Sequence, residues 1–362
     1  EITEKEPNDR VFSLAPAEMP FVLNGQIFAG DRDRFALNLK KGQKLVAETR
    51  ARFLIPYLAD AVPGWFQAVV TLCDQTGKEV AFADDFRFDP DPVLLYEIPA
   101  DGEYTLEIHD ALYRGREDFV YRISVGELPF VTQIYPLGGQ TGGKTSVTAT
   151  GWNLPKAKFT LDTAPGGTGL RQGSVTRNGL PSNDFVYAVD TLPEMEQKEP
   201  NDTIAKAQHI TLPVIVNGLI ERPDDVDMFQ FKARAGDRVV AEVTARRLGS
   251  PLDSLLRLMD ASGKVLGWND DHGDKASGLT THNADSCLCA QLKEDGTYFL
   301  QLSDTQHNGG PPYAYRLRVS APRPDFALRV SPSCINAGAG RDAVISLCAL
   351  RTDGFDGPID LS

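Results

Sequence analysis

The sequence predicts an all-β chain of tandem β-sandwiches, and three observations carry that reading. The 32 glycines and 24 prolines punctuate short runs rich in β-branched and aromatic residues, the pattern of strands and frequent turns. No stretch keeps a helical apolar period; the nearest candidate, Thr203 to His209, spans about two turns. The chain also repeats itself, Lys5-Glu6-Pro7-Asn8-Asp9 returning as Lys198-Glu199-Pro200-Asn201-Asp202. With 362 residues there is room for about two to four domains.

The repeat, with a period of roughly 194 residues, defines the elements in order. Asn24-Gly25 returns as Asn217-Gly218, and Asp31-Arg32-Asp33-Arg34-Phe35 as Asp225-Val226-Asp227-Met228-Phe229. Asp84-Asp85 matches Asp270-Asp271, Asp101-Gly102-Glu103-Tyr104 matches Asp295-Gly296-Thr297-Tyr298, and Tyr121-Arg122 matches Tyr315-Arg316. About eight extra residues fall in the Phe53–Gln67 loop of the first copy and about eight after Asp271 in the second, so the insertions are confined to loops. Phe35, Leu37 and Leu39 alternate before the Lys41-Gly42 turn, as Phe229 and Phe231 do before Ala235-Gly236. Leu94, Tyr96 and Ile98 precede the Asp101-Gly102 turn into Tyr104, Leu106 and Ile108. Roughly eight short strands per copy suggest a jelly-roll-like sandwich over residues 1–127 and again over 196–322. Between them, residues 128–195 offer strands at Pro129–Pro136 and Ser146–Trp152, enough for a small immunoglobulin-like unit. Past the Pro322-Arg323-Pro324 hinge, residues 323–362 supply about three strands, Phe326–Val330, Ala343–Leu350 and Pro358–Leu361, which make only a partial domain. The start at Glu1 in place of a methionine, and that partial domain, suggest a piece of a longer processed protein.

A net charge of −13 argues against a nucleic-acid partner and against docking on anionic lipid, both of which need a basic surface. No apolar run reaches about 18 residues, so no membrane span is expected. An acidic chain can instead gather carboxylates around a hard cation. Calcium takes six to eight oxygens, and Glu4, Glu6, Asn8 and Asp9 supply four oxygen-bearing side chains in one short segment. Asp31 and Asp33 present two more on one strand face, because strand side chains repeat every second residue. The second copy offers Glu199, Asn201, Asp202, Asp225 and Asp227, with Asp224 adjacent, but carries Gln197 where the first has Glu4. Asp84, Asp85, Asp270 and Asp271 sit in a turn pattern that serves equally well as turn or ligand, and Asp253 is placed to assist Asp270.

These motifs resemble those of the bacterial pre-peptidase C-terminal domain: an E-P-N-D start, a D-x-D-x-F strand start, an N-D-D turn and a D-G-x-Y hairpin. The first copy departs at the turn, with Ala83 in place of Asn269. Pro129-Phe130-Val131, Tyr135-Pro136 and Gly151-Trp152-Asn153-Leu154 are similar to the IPT/TIG immunoglobulin-like fold. Arg351-Thr352-Asp353-Gly354-Phe355-Asp356-Gly357-Pro358-Ile359 resembles the start of a further immunoglobulin-like repeat of large secreted bacterial proteins. The resemblance implies secreted, non-catalytic appendages akin to the collagen-binding domains of bacterial collagenases. It also implies that the acidic segment and the strand-start aspartates meet around one or two calcium ions.

Signals for catalysis fail. Gly138 to Thr145 spells a phosphate-binding P-loop, but that motif needs a following helix, and Ser146-Val147-Thr148-Ala149-Thr150 alternates like a strand. His109, His209, His272, His282 and His307 form no HExxH, and there is no GxSxG elbow. Trp65, Phe66 and Trp268 are candidate aromatic platforms for a sugar or protein, each weighed against core packing. Cys334 and Cys348 flank or lie in neighbouring predicted strands and could pair as a disulfide; Cys287 and Cys289 share a strand face, a poor geometry for bonding each other. The expected function is that of a non-enzymatic, calcium-binding module, secreted, periplasmic or on the cell surface, that binds an extracellular protein or polysaccharide and spaces other domains of the same protein. The alternatives are a subunit of a surface layer or filament, and the accessory region of a secreted hydrolase.

Overall fold

A computed structural model of the chain describes residues 1–6, 8, 12–13, 19–55, 65–272, 284–331 and 338–361. Strands dominate the regular structure; helix among the described residues is limited to the 3-10 turns Ile204–Lys206 and Arg246–Leu248. The first is all that forms of the Thr203–His209 candidate. It buries no side chain, so packing adds nothing to offset helix nucleation. The chain groups into two compact units: Glu1–Gln133 with Ala149–Lys158 and Ser174–Phe185, and Ile134–Thr148 with Phe159–Gly173 and Val186–Ser362.

The first unit contains a sandwich of two five-stranded sheets. One runs in the order Ile2–Thr3, Phe21–Gln26, Val120–Gly126, Lys44–Arg50, Val93–Glu97, and the other Phe12–Ser13, Asp33–Leu39, Gly102–Asp110, Ala68–Cys73, Glu79–Ala83. The alternation legible in the sequence becomes the core: Phe35, Leu37 and Leu39 are all buried and pair across the ladder with Leu106, Tyr104 and Gly102. They meet Leu23, Leu45, Leu94, Ile123 and Val125 from the opposite sheet. The N-terminal arm joins as a parallel edge strand, Ile2 beside Leu23 and Thr3 beside Asn24, and the Glu4 N–H extends the ladder to the Asn24 carbonyl at 3.0 Å.

The second unit repeats this order strand for strand. Its sheets are Glu194–Glu196, Val214–Leu219, Ala314–Ser320, Arg238–Thr244, Cys287–Gln291 and Gln208–His209, Val226–Ala233, Gly296–Asp304, Ser254–Met259, Val265–Asn269. The two short parallel edge strands of each copy are the elements that alternation does not reveal, because two or three residues carry no period. Gly138–Gln140 pairs in parallel with Phe185–Asp190, and the glycine-rich turn leads into the strand Ser146–Trp152. The P-loop letters therefore spell a strand, a turn and a strand.

Much of the negative charge holds loops together. Asp91 accepts the Ala51, Arg52 and Phe53 amides at 3.0, 2.7 and 2.9 Å. Asp285, its counterpart, accepts those of Ala245, Arg246 and Arg247 at 2.9, 2.7 and 3.2 Å and the Arg247 guanidinium at 2.7 Å. Asp110 and Asp304 gather loop amides in the same way. Replacing Asp285 by Ala strands three amides and uncovers a partly buried guanidinium. The expected cost is about 3 kcal/mol, read as a lower urea midpoint of the second sandwich at an unchanged slope.

The tail forms one antiparallel ribbon, Asp325–Ser331 with Ser346–Thr352. The strand expected at Pro358–Leu361 does not form; Pro358 lacks a ladder donor, and Leu361 is exposed with no core to enter. Asp353 ties the ribbon back, taking Arg318 at 2.7 and 2.8 Å and the Arg323 amide at 2.6 Å. Burial opposes ionisation of Asp353, but the Arg318 guanidinium outweighs it and holds the carboxyl below the usual range. A depressed carboxylate stabilises fully above its unfolded value and loses that contribution as pH falls through its folded one. Pepsin cleavage of the 321–331 segment is therefore expected to accelerate as pH drops below about 4, and in Asp353→Asn to be fast already at pH values just above that.

Candidate metal centre

The arm and the Asp31-Asp33 turn meet at one end of each sandwich, around a buried tyrosine. In the first copy Asp33 and Asn8 are fully buried and Asp31 nearly so. Glu4 Oε1 accepts the Gln26 amide at 2.6 Å, and Glu4 Oε2 accepts Asn8 Nδ2 at 3.2 Å. The Tyr121 hydroxyl lies 2.8 Å from Glu4 Oε2 and 2.6 Å from Asp33 Oδ2. A phenol has one proton to donate, so two carboxylates converge on a donor that satisfies only one of them. Oxygens of Glu4, Glu6 and Asp33 lie within 4.8 Å of one another.

Among the described residues, two buried oxygens in this pocket have no donor, Asn8 Oδ1 and Asp33 Oδ1. The Nδ2 bond to Glu4 sets the sense of the Asn8 amide, so its free oxygen is a consequence of the packing. Burial, followed by the Glu4 carboxylate, pushes Asp33 up to about 9, although the Tyr121 bond pulls it down. Burial thus disfavours a negatively charged Asp33, and either a proton or a bound cation relieves that. Hard carboxylate and amide oxygens are the donor set calcium prefers, and Glu4, Glu6, Asn8 and Asp33 would hold it. Asp31 contributes differently: its two oxygens accept the Phe28 and Arg32 amides at 3.1 and 2.9 Å, closing the turn that presents Asp33. Asp9 lies outside the described residues.

The second pocket has the same frame and different chemistry. Tyr315 donates to Asp227 Oδ2 at 2.6 Å, and Asn201 and Asp227 are fully buried. Gln197, in the place of Glu4, accepts the Leu219 amide at 2.7 Å through its carbonyl. Its Nε2 reaches Asp227 Oδ1 at 2.5 Å and Glu199 Oε1 at 2.7 Å. At the rim, Arg222 contacts Asp202 at 2.9 Å and Asp225 at 3.2 Å. Oxygens of Glu199, Asp202 and Asp225 lie within 4.8 Å of one another, and Asp227 is outside that group. Burial pushes both Asp225 and Asp227 up, with Arg222 opposing at Asp225 and Tyr315 at Asp227.

The remaining candidates scatter. Asp224 is exposed and faces His307 Nδ1 at 3.2 Å. Asp84, Asp85 and Asp271 are exposed and Asp270 half-buried. Asp253 is half-buried and pushed up by its burial. The residues following Asp84-Asp85 do structural work: Phe86 packs edge-on to Phe130 at 5.0 Å, and Arg87 donates to the Thr132 carbonyl at 2.5 Å. Phe66 is no surface platform; it is buried and stacks on Phe119 at 5.3 Å. Trp65 is half-buried beneath the Arg52 guanidinium at 3.9 Å. Trp268 is 61% exposed, and Phe82, at the matching place in the first copy, 52%. Cys73, Cys287 and Cys289 are free thiols; Cys348 is half-buried on the ribbon and Cys334 lies outside the described residues.

Sequence reasoning marked Tyr121, Tyr315, Gly25 and Gly218 as landmarks of the repeat and assigned them no role. A Cβ on Gly25 would fall on the Tyr121 hydroxyl and the Glu4 carboxylate, and one on Gly218 on the Tyr315 ring and hydroxyl. The repeated Asn-Gly pair therefore makes the space in which the tyrosine reaches its aspartate.

Fold and pocket together define a class: all-β tandem sandwiches whose N-terminal arms close an acidic, tyrosine-centred pocket. No family model matches the chain. It is 39% identical over 147 residues to a probable subtilase-type serine protease of Deinococcus radiodurans, a match covering 39% of this chain and 19% of that protein. The match thus spans about a fifth of that curated relative's length. Among solved structures, the pre-peptidase C-terminal domain of a Bacillus anthracis collagenase aligns over 34% of this chain and 100% of its own, at 17% identity and TM-score 0.26. A periplasmic inhibitor of g-type lysozyme from Aeromonas hydrophila aligns over 32% of this chain and 95% of its own, at 15% identity and TM-score 0.22.

Proposed function

We propose that this chain is an accessory, non-catalytic stretch of a secreted protease in which calcium at the first pocket clamps the N-terminal arm onto its sandwich. The observation that carries this reading is the pair of buried oxygens without a donor among the described residues, Asn8 Oδ1 and Asp33 Oδ1, where Glu4 and Asp33 converge on one tyrosine hydroxyl. The ion satisfies both oxygens, neutralises Glu4 and Asp33, and joins a segment before the first long strand to a turn after it. The ion thereby holds the arm in place as an edge strand. The kinship with a subtilase-type protease supports the accessory role, with residues 128–195 as an immunoglobulin-like spacer. Trp268 and Phe82, both exposed, are the surface aromatics for an extracellular protein or polysaccharide.

Terbium tests the pocket directly, because it occupies calcium sites and a phenol touching its ligands sensitises its emission. Excitation of tyrosine in the full chain should give terbium luminescence that calcium competes away and that Tyr121→Phe reduces several-fold while leaving the affinity for calcium within about tenfold. Emission that is indifferent to calcium would refute the site.

A further inference from the structure

We propose that the second pocket is a metal-independent version of the first, carrying its own counter-charge and serving as a permanent joint within the second unit. The inference rests on the calcium reading of the first pocket and concerns how the two copies divide the work.

The contrast lies in the donors. In the first pocket the Tyr121 proton is contested by Glu4 and Asp33. In the second the Gln197 amide brings two protons to the place of a Glu4 oxygen and delivers them to Asp227 and Glu199, leaving the Tyr315 proton for the other Asp227 oxygen. Every Asp227 oxygen then has a donor. Arg222 supplies full positive charge to Asp202 and Asp225; the residues of the first copy that align with Arg222 are Phe28 and Ala29, neither of them cationic. Among the described residues Asn201 Oδ1 still lacks a donor, as Asn8 Oδ1 does, and Asp225 Oδ1 has only the ion-pair contact to Arg222, so the divergence lies at Asp227 and in the counter-charge that Arg222 brings. A cation entering the second pocket would have to displace an amide from Asp227 and compete with a guanidinium for Asp202 and Asp225.

The second pocket is also built into a joint. Tyr135, from the residues between the copies, donates to the carbonyl of Asn217 at 3.2 Å, on the strand beside which Glu194–Glu196 lies in parallel register. The Arg316 guanidinium holds Glu194 at 2.7 Å and Asn217 at 2.8 Å. The first copy clamps its arm in the same way, Arg122 reaching Glu1 at 2.6 Å and Asn24 at 3.0 Å, so the Tyr135 bond and the Gln197 amide are what set the second arm apart. An ion-set arm at one copy and an ion-free arm at the other make only the first responsive to calcium.

Calorimetric calcium titration of the full chain decides the matter. The unmodified protein is expected to bind at the first pocket only, Asp33→Asn to abolish that heat, and Asp227→Asn to keep it with unchanged stoichiometry. Gln197→Glu combined with Arg222→Leu should add a second class of bound ion. Saturable binding in Asp33→Asn that Asp227→Asn removes would overturn the inference. If the unmodified chain binds no calcium, the reading of the first pocket fails, and the inference is then decided by the double variant: binding acquired supports it, and a double variant that folds yet binds nothing overturns it. Should the double variant not fold, the two aspartate variants still decide, since loss of heat in Asp227→Asn contradicts a metal-free second pocket.

Discussion

Saturation with calcium is expected to raise the melting midpoint of the first sandwich by roughly 10 °C at a free ion level about 100-fold above its dissociation constant. Binding to the folded state alone contributes about 2.7 kcal/mol under those conditions. A domain of this size shifts by about 4 °C per kcal/mol. The second sandwich should not move. Calorimetric scans in calcium and in chelator read both transitions in one sample. Asp33→Asn sharpens the test because it reproduces the arrangement of the second copy, where an amide meets a carboxylate across the pocket. With no ion bound, burial first and the facing Glu4 carboxylate second push Asp33 up to about 9. The variant relieves that opposition, so in chelator it should melt no lower than the unmodified protein and should lose the calcium shift altogether. A calcium shift preserved in Asp33→Asn would place the ion elsewhere.

Gly25→Ala and Gly218→Ala carry the second large effect. At each, the new methyl falls on the hydroxyl of a tyrosine that is at most 2% exposed. Overpacking of a filled interior costs about 1–3 kcal/mol, and the displaced hydroxyl adds the loss of a charge-assisted bond to a buried carboxylate, about 1.5–3 kcal/mol. The expected sum is about 4 kcal/mol in either copy, seen as a lower denaturant midpoint. The functional consequences should differ. Gly25→Ala also pushes on Glu4 and is expected to abolish ion binding, whereas Gly218→Ala should leave the calcium titration of the first pocket unchanged. Pairing Gly25→Ala with Tyr121→Phe should restore little stability, because the ring carbon that carries the hydroxyl and the Glu4 carboxylate crowd the new methyl as closely as the hydroxyl does; full recovery would mean that the hydroxyl alone is the obstacle.

The long strands were legible because their apolar residues alternate over five or more positions, as in Phe35-Leu37-Leu39, and a half-buried sheet imposes that period on its side chains. The two short parallel edge strands of each copy were not, because pairing that brief leaves no pattern. The segments that meet at the pocket were legible through residue type: oxygen-rich side chains in Glu4–Asn8 and at Asp31 and Asp33 have counterparts in the second copy. Their division of labour was not. Asp31 closes its own turn while Asp33 faces the pocket, and only backbone geometry separates the two. Phe66 and Trp268 stood alike as candidate platforms; one entered the core and the other stayed at the surface, since an isolated aromatic in a loop or edge strand carries no periodicity to say which way it faces.

The sequence by itself determined the duplicated all-β sandwich and the substitution of Gln197 for Glu4, since both are comparisons of residue types along one chain. Only the tertiary structure decided what that substitution does. Gln197, Asp227, Tyr315 and Arg222 are far apart in sequence and meet where the arm, two strands and a turn converge. Whether a buried carboxylate finds a proton, an amide, a guanidinium or a metal depends on that convergence, because the balance of charge in a pocket is a property of distances that no single segment encodes.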